Sequence, residues 1–127
     1  MPRYLQPLRF IGVIHEFGGD SANVEACGEF CRVVAQCLPN VIVLSPLHMF
    51  SYLDDHEVGE RRLGIRMWRA TMNTLCDEIW SVGACATEGC DGDLAECERQ
   101  DIPVYIGYAR MDELAPGWRA MLPEVVC

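Results

Sequence analysis

A short apolar run, residues 79–82, constrains the fold more than any other feature of this sequence. The run ends at Gly83, and a loop rich in glycine and acids, a helical segment and a second apolar run from Pro103 follow it. A run this short suits a strand buried on both faces, and the order strand, helix, strand is the unit of a parallel sheet. Because ligands of such sheets collect where the strands end, we expect function near the loop after Gly83.

The same pattern recurs along the chain. Residues 10–14, 41–44 and 103–107 are further apolar runs, each closed by glycine, proline or polar residues. Apolar residues at intervals of three and four predict helices over 21–38, 60–75 and 91–100, whereas 47–57 has no clean period and is predicted to be a loop. In the second helix the predicted apolar face is Leu63, Met67, Ala70 and Leu75. The alternation predicts an α/β fold with a parallel sheet and helices on both faces.

The length of 127 residues predicts one domain, residues 1–127, with a core over about 10–107 and a tail over 108–127 that contains a last helix near 118–122. The net charge is −9 and every basic residue is an arginine. This balance argues against a general basic surface for nucleic acid or an anionic membrane, and no apolar run reaches the roughly 20 residues of a membrane span. We therefore expect a small molecule or a protein as partner.

The chain has eight cysteines, and we interpret them as reduced thiols. No signal peptide is evident and several cysteines lie at helical spacing among apolar residues, so we expect core packing and a cytoplasmic protein. Cys85, Cys90 and Cys97 form no C-x-x-C pair, and their spacing fits none of the usual structural zinc sites. We predict no metal and no cofactor.

The order and spacing of several short motifs resemble one family, the small phage and bacterial branch of the nucleoside 2-deoxyribosyltransferase superfamily. The motifs that carry the resemblance are Gly19-Asp20, Asn23-Val24, Cys31-Arg32, Ser45-Pro46 with His48, Leu53-Asp54-Asp55, Gly64-Ile65-Arg66-Met67, Cys76 to Trp80 with Gly83, Glu88-Gly89, Asp93-Leu94 and Pro103-Val104. They extend over nearly the whole predicted domain.

This resemblance implies a flavodoxin-like (Rossmann-like) sheet of about four to five strands and a nucleoside or nucleotide site at its carboxyl edge. Active members of the superfamily attack the anomeric carbon with a glutamate, so that a covalent ester divides one difficult displacement into two easier ones. Asp93 stands at the position of that glutamate, and Asp77 matches an aspartate near the nucleophile. Asp93 is expected in the first turn of its helix, where the dipole favours the charged form.

Both carboxylates also have simpler interpretations. Asp93 is equally a common acid at a helix start, Asp77 an acid at a strand start, and Glu96 lies one turn from Asp93 on nearly the same face. Because aspartate is shorter than glutamate by one methylene, a shift of about 1 Å can lower the rate on the order of a hundredfold.

The substrate-binding candidates lie in three loops of the predicted edge. They are His15, Glu16, Phe17, Gly19, Asp20 and Asn23 in the first, Ser45 and His48 in the second, and Gly83, Thr87, Glu88 and Gly89 in the third. His15 and Glu16 have the chemistry of an acid–base pair, but solvated loop residues explain them as well. The first loop lacks the arginine of the relatives, so the phosphate of a ligand would need another partner.

Three functions therefore remain open. The first is an enzyme that hydrolyses or transfers at the N-glycosidic bond of a nucleoside or nucleotide. The second is a binding protein that keeps the pocket without the chemistry and sequesters or senses a nucleotide signal. The third is an interaction protein, since fold does not fix function. The resemblance also implies a homo-oligomer, for which the apolar residues 118–126 are candidates.

Overall fold

A four-stranded, all-parallel sheet with the order β2-β1-β3-β4 forms the centre of the molecule. The computed structural model describes residues 8–15, 21–83 and 88–122, with the backbone alone for 21–23 and 88–89. The strands are β1 (Arg9–Ile14), β2 (Val41–Leu44), β3 (Glu78–Ser81) and β4 (Val104–Ile106). The α helices of the described ranges are α1 (Ser21–Cys37), α2 (Pro46–Met49), α3 (Val58–Leu75), α4 (Glu88–Arg99) and α5 (Gly107–Leu114), and a 3-10 turn follows at Trp118–Met121.

The sheet divides the interior into two apolar clusters, as alternating side chains of a strand require. On one face, Ile11 and Val13 of β1 and Trp80 of β3 pack against α1 and α5. On the other face, Ile14 and Ile79 pack against α3 and α4. Helices thus cover both faces, and the predicted α/β sheet of flavodoxin-like type is confirmed.

Gly12 allows one helix to approach the centre of the sheet closely. A Cβ atom built on Gly12 would lie 2.8 Å from Cη2 of Trp68, whose side chain is 1% exposed. The absence of a side chain in β1 therefore makes room for the indole of α3.

Two predictions about local structure were wrong. Residues 47–49, the start of the predicted loop 47–57, belong to α2 (Pro46–Met49), because Pro46 has a φ suited to a first helical turn and Ser45 occupies the N-cap position. The apolar face of α3 is rotated from the predicted one: Trp68 and Met72 are the buried residues, while Leu75 is 44% exposed. The tryptophan, which has the largest apolar area to bury, decides which face meets the sheet.

The segment predicted as a tail belongs to the core. Met111 of α5 and Trp118 are 0% and 2% exposed and pack with Phe30 of α1. The indole N–H of Trp118 donates to Asp112 at 2.8 Å. Helix α5 was not predicted, because its N-cap is Ile106, which has no capping side chain.

Candidate functional site

The carboxyl ends of β1 and β3 define the crevice in which a sheet of this order binds ligands. In the order β2-β1-β3-β4, the chain passes from β1 to its neighbour β2 on one side, and from β3 to its neighbour β4 on the other side. The two connections therefore diverge between β1 and β3, which makes this the switch point of the sheet. His15 follows β1, and Gly83 follows β3 by two residues. The two residues therefore lie side by side at the switch point.

His15 and Gly83 are in close contact. A Cβ atom on Gly83 would lie 2.7 Å from Nε2 of His15, and Gly83 has a φ of +71°. Both features require glycine, because a side chain would collide with the imidazole and a positive φ strains other residues. His15 is only 6% exposed, so its ring is buried between the ends of the two strands rather than in solvent.

Helix α4 begins beside the same crevice. The Cys90 thiol, in the first turn of α4, donates to the backbone oxygen of His15 at 3.5 Å. Cys90 is fully buried, so the contact ties the start of α4 to the end of β1. Residues one turn further along α4 consequently lie just below the switch point.

Asp93 occupies that position and is buried against α3. It is the sixth residue of α4 and is 2% exposed, and its Oδ1 lies 3.3 Å from Nε of Arg69. Burial raises the pKa of Asp93 from 3.8 to about 6, although the Arg69 guanidinium acts in the opposite direction. The prediction of a first-turn, dipole-stabilised carboxylate was therefore wrong: α4 begins three residues earlier than predicted, and desolvation outweighs the nearby positive charge.

Trp68 supplies the apolar side of this environment. Its indole N–H is close enough to Asp93 to lower the pKa of the carboxyl, yet the two groups do not meet the distance and angle of a hydrogen bond. Within the described ranges the buried Nε1 of Trp68 has no hydrogen-bond partner. An unsatisfied donor next to a carboxyl that titrates near neutrality is characteristic of functional sites.

Glu96, the other candidate acid of α4, is fully engaged in contacts within the protein. Its Oε1 accepts hydrogen bonds from Asn73 at 2.9 Å and Gln100 at 3.4 Å, and Oε2 forms an ion pair with Arg99. These contacts connect α4 with α3 and leave Glu96 a structural role. The geometry thus favours Asp93 over Glu96 as the reactive carboxyl.

Ser45 and His48 form a second polar group on the other face of the sheet. The Ser45 hydroxyl lies 2.8 Å from Nδ1 of His48 and 3.6 Å from the thiol of Cys27 in α1. The neighbouring Cys31 is the main cause of a lowered pKa of the Cys27 thiol. His48 lies over Gly28, where a Cβ atom would be 3.0 Å from its Nε2. This pair belongs to the α1 side, whereas Asp93 belongs to the α3–α4 side.

Asp77 lies at the opposite edge of the sheet from the other candidates. It precedes β3, and its Oδ2 accepts a hydrogen bond from the backbone N–H of Phe10 at 2.8 Å. The residue is exposed at the amino edge. This contact is with β1, and within the described ranges Asp77 forms no hydrogen bond with Asp93, so its expected place near Asp93 stays a prediction. Asp77 thereby joins β1 to β3.

The remaining candidates cannot be placed in the crevice from the described residues. Glu16, Phe17, Gly19, Asp20 and Thr87 lie outside them, as do the side chains of Asn23, Glu88 and Gly89. Sequence reasoning assigned no site role to Trp68 or Arg69, and it considered Cys90 only as a zinc ligand. A tryptophan followed by an arginine in an amphipathic helix was the available signal, but only the packing of α3 on α4 reveals its meaning.

The described residues contain neither a metal-binding cluster nor a membrane-spanning helix. In ranges 8–15, 21–83 and 88–122, no three histidine, cysteine, aspartate or glutamate side chains are grouped closely enough to hold a metal ion. In the same ranges no helix is both long and apolar enough to cross a membrane.

A family model described as a domain of unknown function, DUF7768, matches residues 9–106. The matched segment starts with β1 and ends with β4, so it contains the whole sheet. No curated protein matches the chain.

Proposed function

The chain belongs to the DUF7768 family, and we propose that it binds a nucleoside or nucleotide at the carboxyl edge of its sheet and acts on the N-glycosidic bond. One observation carries the proposal: the carboxyl of Asp93 is buried one turn below the switch point with a pKa raised to about 6. The sequence resemblance to the nucleoside 2-deoxyribosyltransferase superfamily supports the same chemistry.

The proposed reaction uses Asp93 as nucleophile. With a pKa of about 6, most of the carboxyl is ionised at pH 7, and one oxygen attacks the anomeric carbon. The C–N bond breaks, its electron pair goes to the base, and the base takes a proton from water. Water or a second base then attacks the same carbon and releases the carboxylate, giving hydrolysis or transfer. The same raised pKa also suits a general acid or base that steers a water molecule.

A second candidate function is a nucleotide-binding protein without catalysis. The observation that favours it is the position of Asp93, whose side chain is 3% exposed and paired with Arg69. A carboxylate committed to an arginine at this depth is poorly placed to reach a sugar. Such a protein would sequester or sense a nucleotide, including an NAD-derived or cyclic one.

Release of free base distinguishes the two functions. Wild type, Asp93→Asn and Glu96→Gln are incubated with a panel of nucleosides, nucleotides and NAD, and free base is measured by chromatography. We expect release by wild type and Glu96→Gln but not by Asp93→Asn. Release by all three would refute the role of Asp93. No release of base by any of the three proteins, together with a nucleotide that raises the melting temperature, would favour the function of a binding protein.

We also propose a homo-oligomer. The edge strand β4 exposes two apolar side chains on one face, Val104 at 40% and Ile106 at 69%. Burial of this pair against a second copy would remove them from water. Light scattering of wild type and Ile106→Asp tests the proposal, and a monomer at high concentration for wild type would refute it.

The cysteines support a reducing, cytoplasmic location for the protein. Cys27, Cys31, Cys37, Cys76 and Cys97 are thiols. Burial raises the pKa of Cys76 to about 12 and that of Cys97 to about 11, which keeps both protonated and unreactive. Fractionation of the native cell is the test.

A further inference from the structure

Three arginines of α3 are distinctive in an acidic chain. The sequence has 19 acidic and 10 basic residues, and exposed arginines elsewhere, such as Arg32 and Arg119, form ion pairs. Arg61, Arg62 and Arg66 are exposed and form no ion pair within the described ranges. The acidic residues of the described ranges therefore leave the charges of these three arginines without an ion-pair partner.

The nearest acids in sequence are engaged with backbone amides instead. Glu57 caps α3 by accepting from the N–H groups of Gly59 and Glu60 at 3.1 and 2.7 Å. Glu60 accepts from the N–H of Asp54 at 3.3 Å. Within the described ranges neither Glu57 nor Glu60 forms an ion pair with an arginine of α3.

Arg62 and Arg66 lie on the same face of α3 as Arg69, which contacts the candidate site. Arg62, Arg66 and Arg69 are spaced by four and three residues, so they share one face of α3. We call these three residues the arginine stripe. Like charges at this spacing oppose helix formation by about 0.2–0.5 kcal/mol a pair, so the positions of Arg62 and Arg66 do not stabilise α3.

The register of α3 on α4 places the stripe beside the crevice. The helices run in the same direction and contact through Arg69 with Asp93 and Asn73 with Glu96. The same offset one turn earlier places Arg66 level with Cys90, whose thiol contacts the end of β1. Arg62 lies one further turn toward the carboxyl edge. Asp91, exposed in the first turn of α4, forms no ion pair with the stripe in the described ranges.

We propose that Arg62 and Arg66 bind the phosphate of a ligand seated at the carboxyl edge, so that the preferred ligand is a nucleotide rather than a nucleoside. Guanidinium groups offer paired N–H donors that match phosphate oxygens, and two of them on one helix face can share one phosphate group. The identity of the ligand rests on the proposed function, while the phosphate site itself rests on the arginines alone.

The experiment compares three probes by calorimetry and thermal shift: a nucleoside, its 5′-diphosphate, and inorganic pyrophosphate. We expect the diphosphate to bind wild type at least about tenfold more tightly than the nucleoside, with a preference that falls as salt is raised. Arg62→Gln/Arg66→Gln should abolish the preference and leave nucleoside affinity unchanged. Arg61→Gln is the matched control, since Arg61 is also exposed and unpaired in the described ranges but lies about 100° around the helix from Arg62.

Each outcome decides a different question. Equal affinity for nucleoside and diphosphate would overturn the phosphate site and leave the proposed function standing. Stabilisation by pyrophosphate that disappears only in the double variant, without binding of nucleoside or diphosphate, would uphold the phosphate site and refute the proposed function. An equal loss in Arg61→Gln would reduce the effect to general charge and overturn the assignment.

Discussion

The imidazole of His15 lies against the backbone of Gly83, with Nε2 only 2.7 Å from the position of a Cβ atom there. This contact joins the ends of two neighbouring parallel strands at the point where their connections diverge. It therefore fixes the shape of the crevice floor, and it can be tested by substitution.

Gly83→Ala should destabilise the fold by about 2 to 3 kcal/mol, because a methyl group collides with His15 and the φ of +71° disfavours alanine. Gly117→Ala is the matched control, since Gly117 has a φ of +87° but no atom within 4 Å of its Cβ position. The free energy of unfolding of this control should fall by about 1 kcal/mol, because only the cost of alanine at a positive φ applies. Urea unfolding measures the free energy of unfolding of both variants. Equal losses would contradict a collision between the new methyl group and His15.

Asp93 should make stability depend on pH between about 4 and 6. Its folded pKa of about 6 is above the ordinary 3.8, so the folded state binds the proton more tightly. The stabilisation is fully present below 3.8 and is lost as the pH rises through 6, a change of about 3 kcal/mol. Asp93→Asn removes this dependence. The measurement is the free energy of unfolding of both proteins at pH 4 and pH 7, and parallel curves would contradict the raised pKa.

Arg69→Met should raise the pKa of Asp93 further, by about one unit, because the guanidinium stabilises the ionised carboxyl. Carboxyl carbon NMR titration measures it directly. Arg99→Met is the control, since Arg99 pairs with Glu96 rather than Asp93. A pKa of Asp93 that does not respond to Arg69→Met would show that the 3.3 Å contact is not maintained in solution.

Ser45→Ala should lower the free energy of unfolding by about 1 kcal/mol, the usual contribution of one hydrogen bond. The 2.8 Å bond to His48 accounts for most of the loss and the longer 3.6 Å contact with the Cys27 thiol for the rest, because the Ser45 side chain makes no capping hydrogen bond to α2. A double-mutant cycle with His48→Ala isolates the coupling between the two residues. Additive losses would indicate that the 2.8 Å contact does not stabilise the protein.

A chain that ends at Ile106, where the family match stops, should not fold cooperatively. It lacks Met111 and Trp118, which complete the cluster around Phe30. In the full chain, Trp118→Ala alone should lower the free energy of unfolding by about 3–5 kcal/mol. Circular dichroism and denaturant unfolding test both, and a sharp transition in the truncated chain would refute the role of α5.

The sheet was predictable because each strand is a short apolar run closed by a turn residue, and both faces of such runs must be buried. The places of His15 and Gly83 followed from the same logic, since they end strands. The environment of Asp93 was not predictable, because its pKa depends on Trp68 and Arg69 of another helix, and periodicity alone assigned the wrong face to that helix. For Asp77 a motif match suggested a place near Asp93, whereas the contact that the structure shows joins it to the backbone of Phe10.

The close approach of Trp68 to Gly12 should couple these two positions in evolution, together with Ile79, whose Cδ1 lies 2.5 Å from the Cβ position of Gly12. We expect alanine at position 12 only in relatives that carry smaller or repositioned side chains at both 68 and 79. Paired changes at positions 12 and 68 across many family members would therefore identify which relatives keep the indole beside Asp93, and with it the same candidate site.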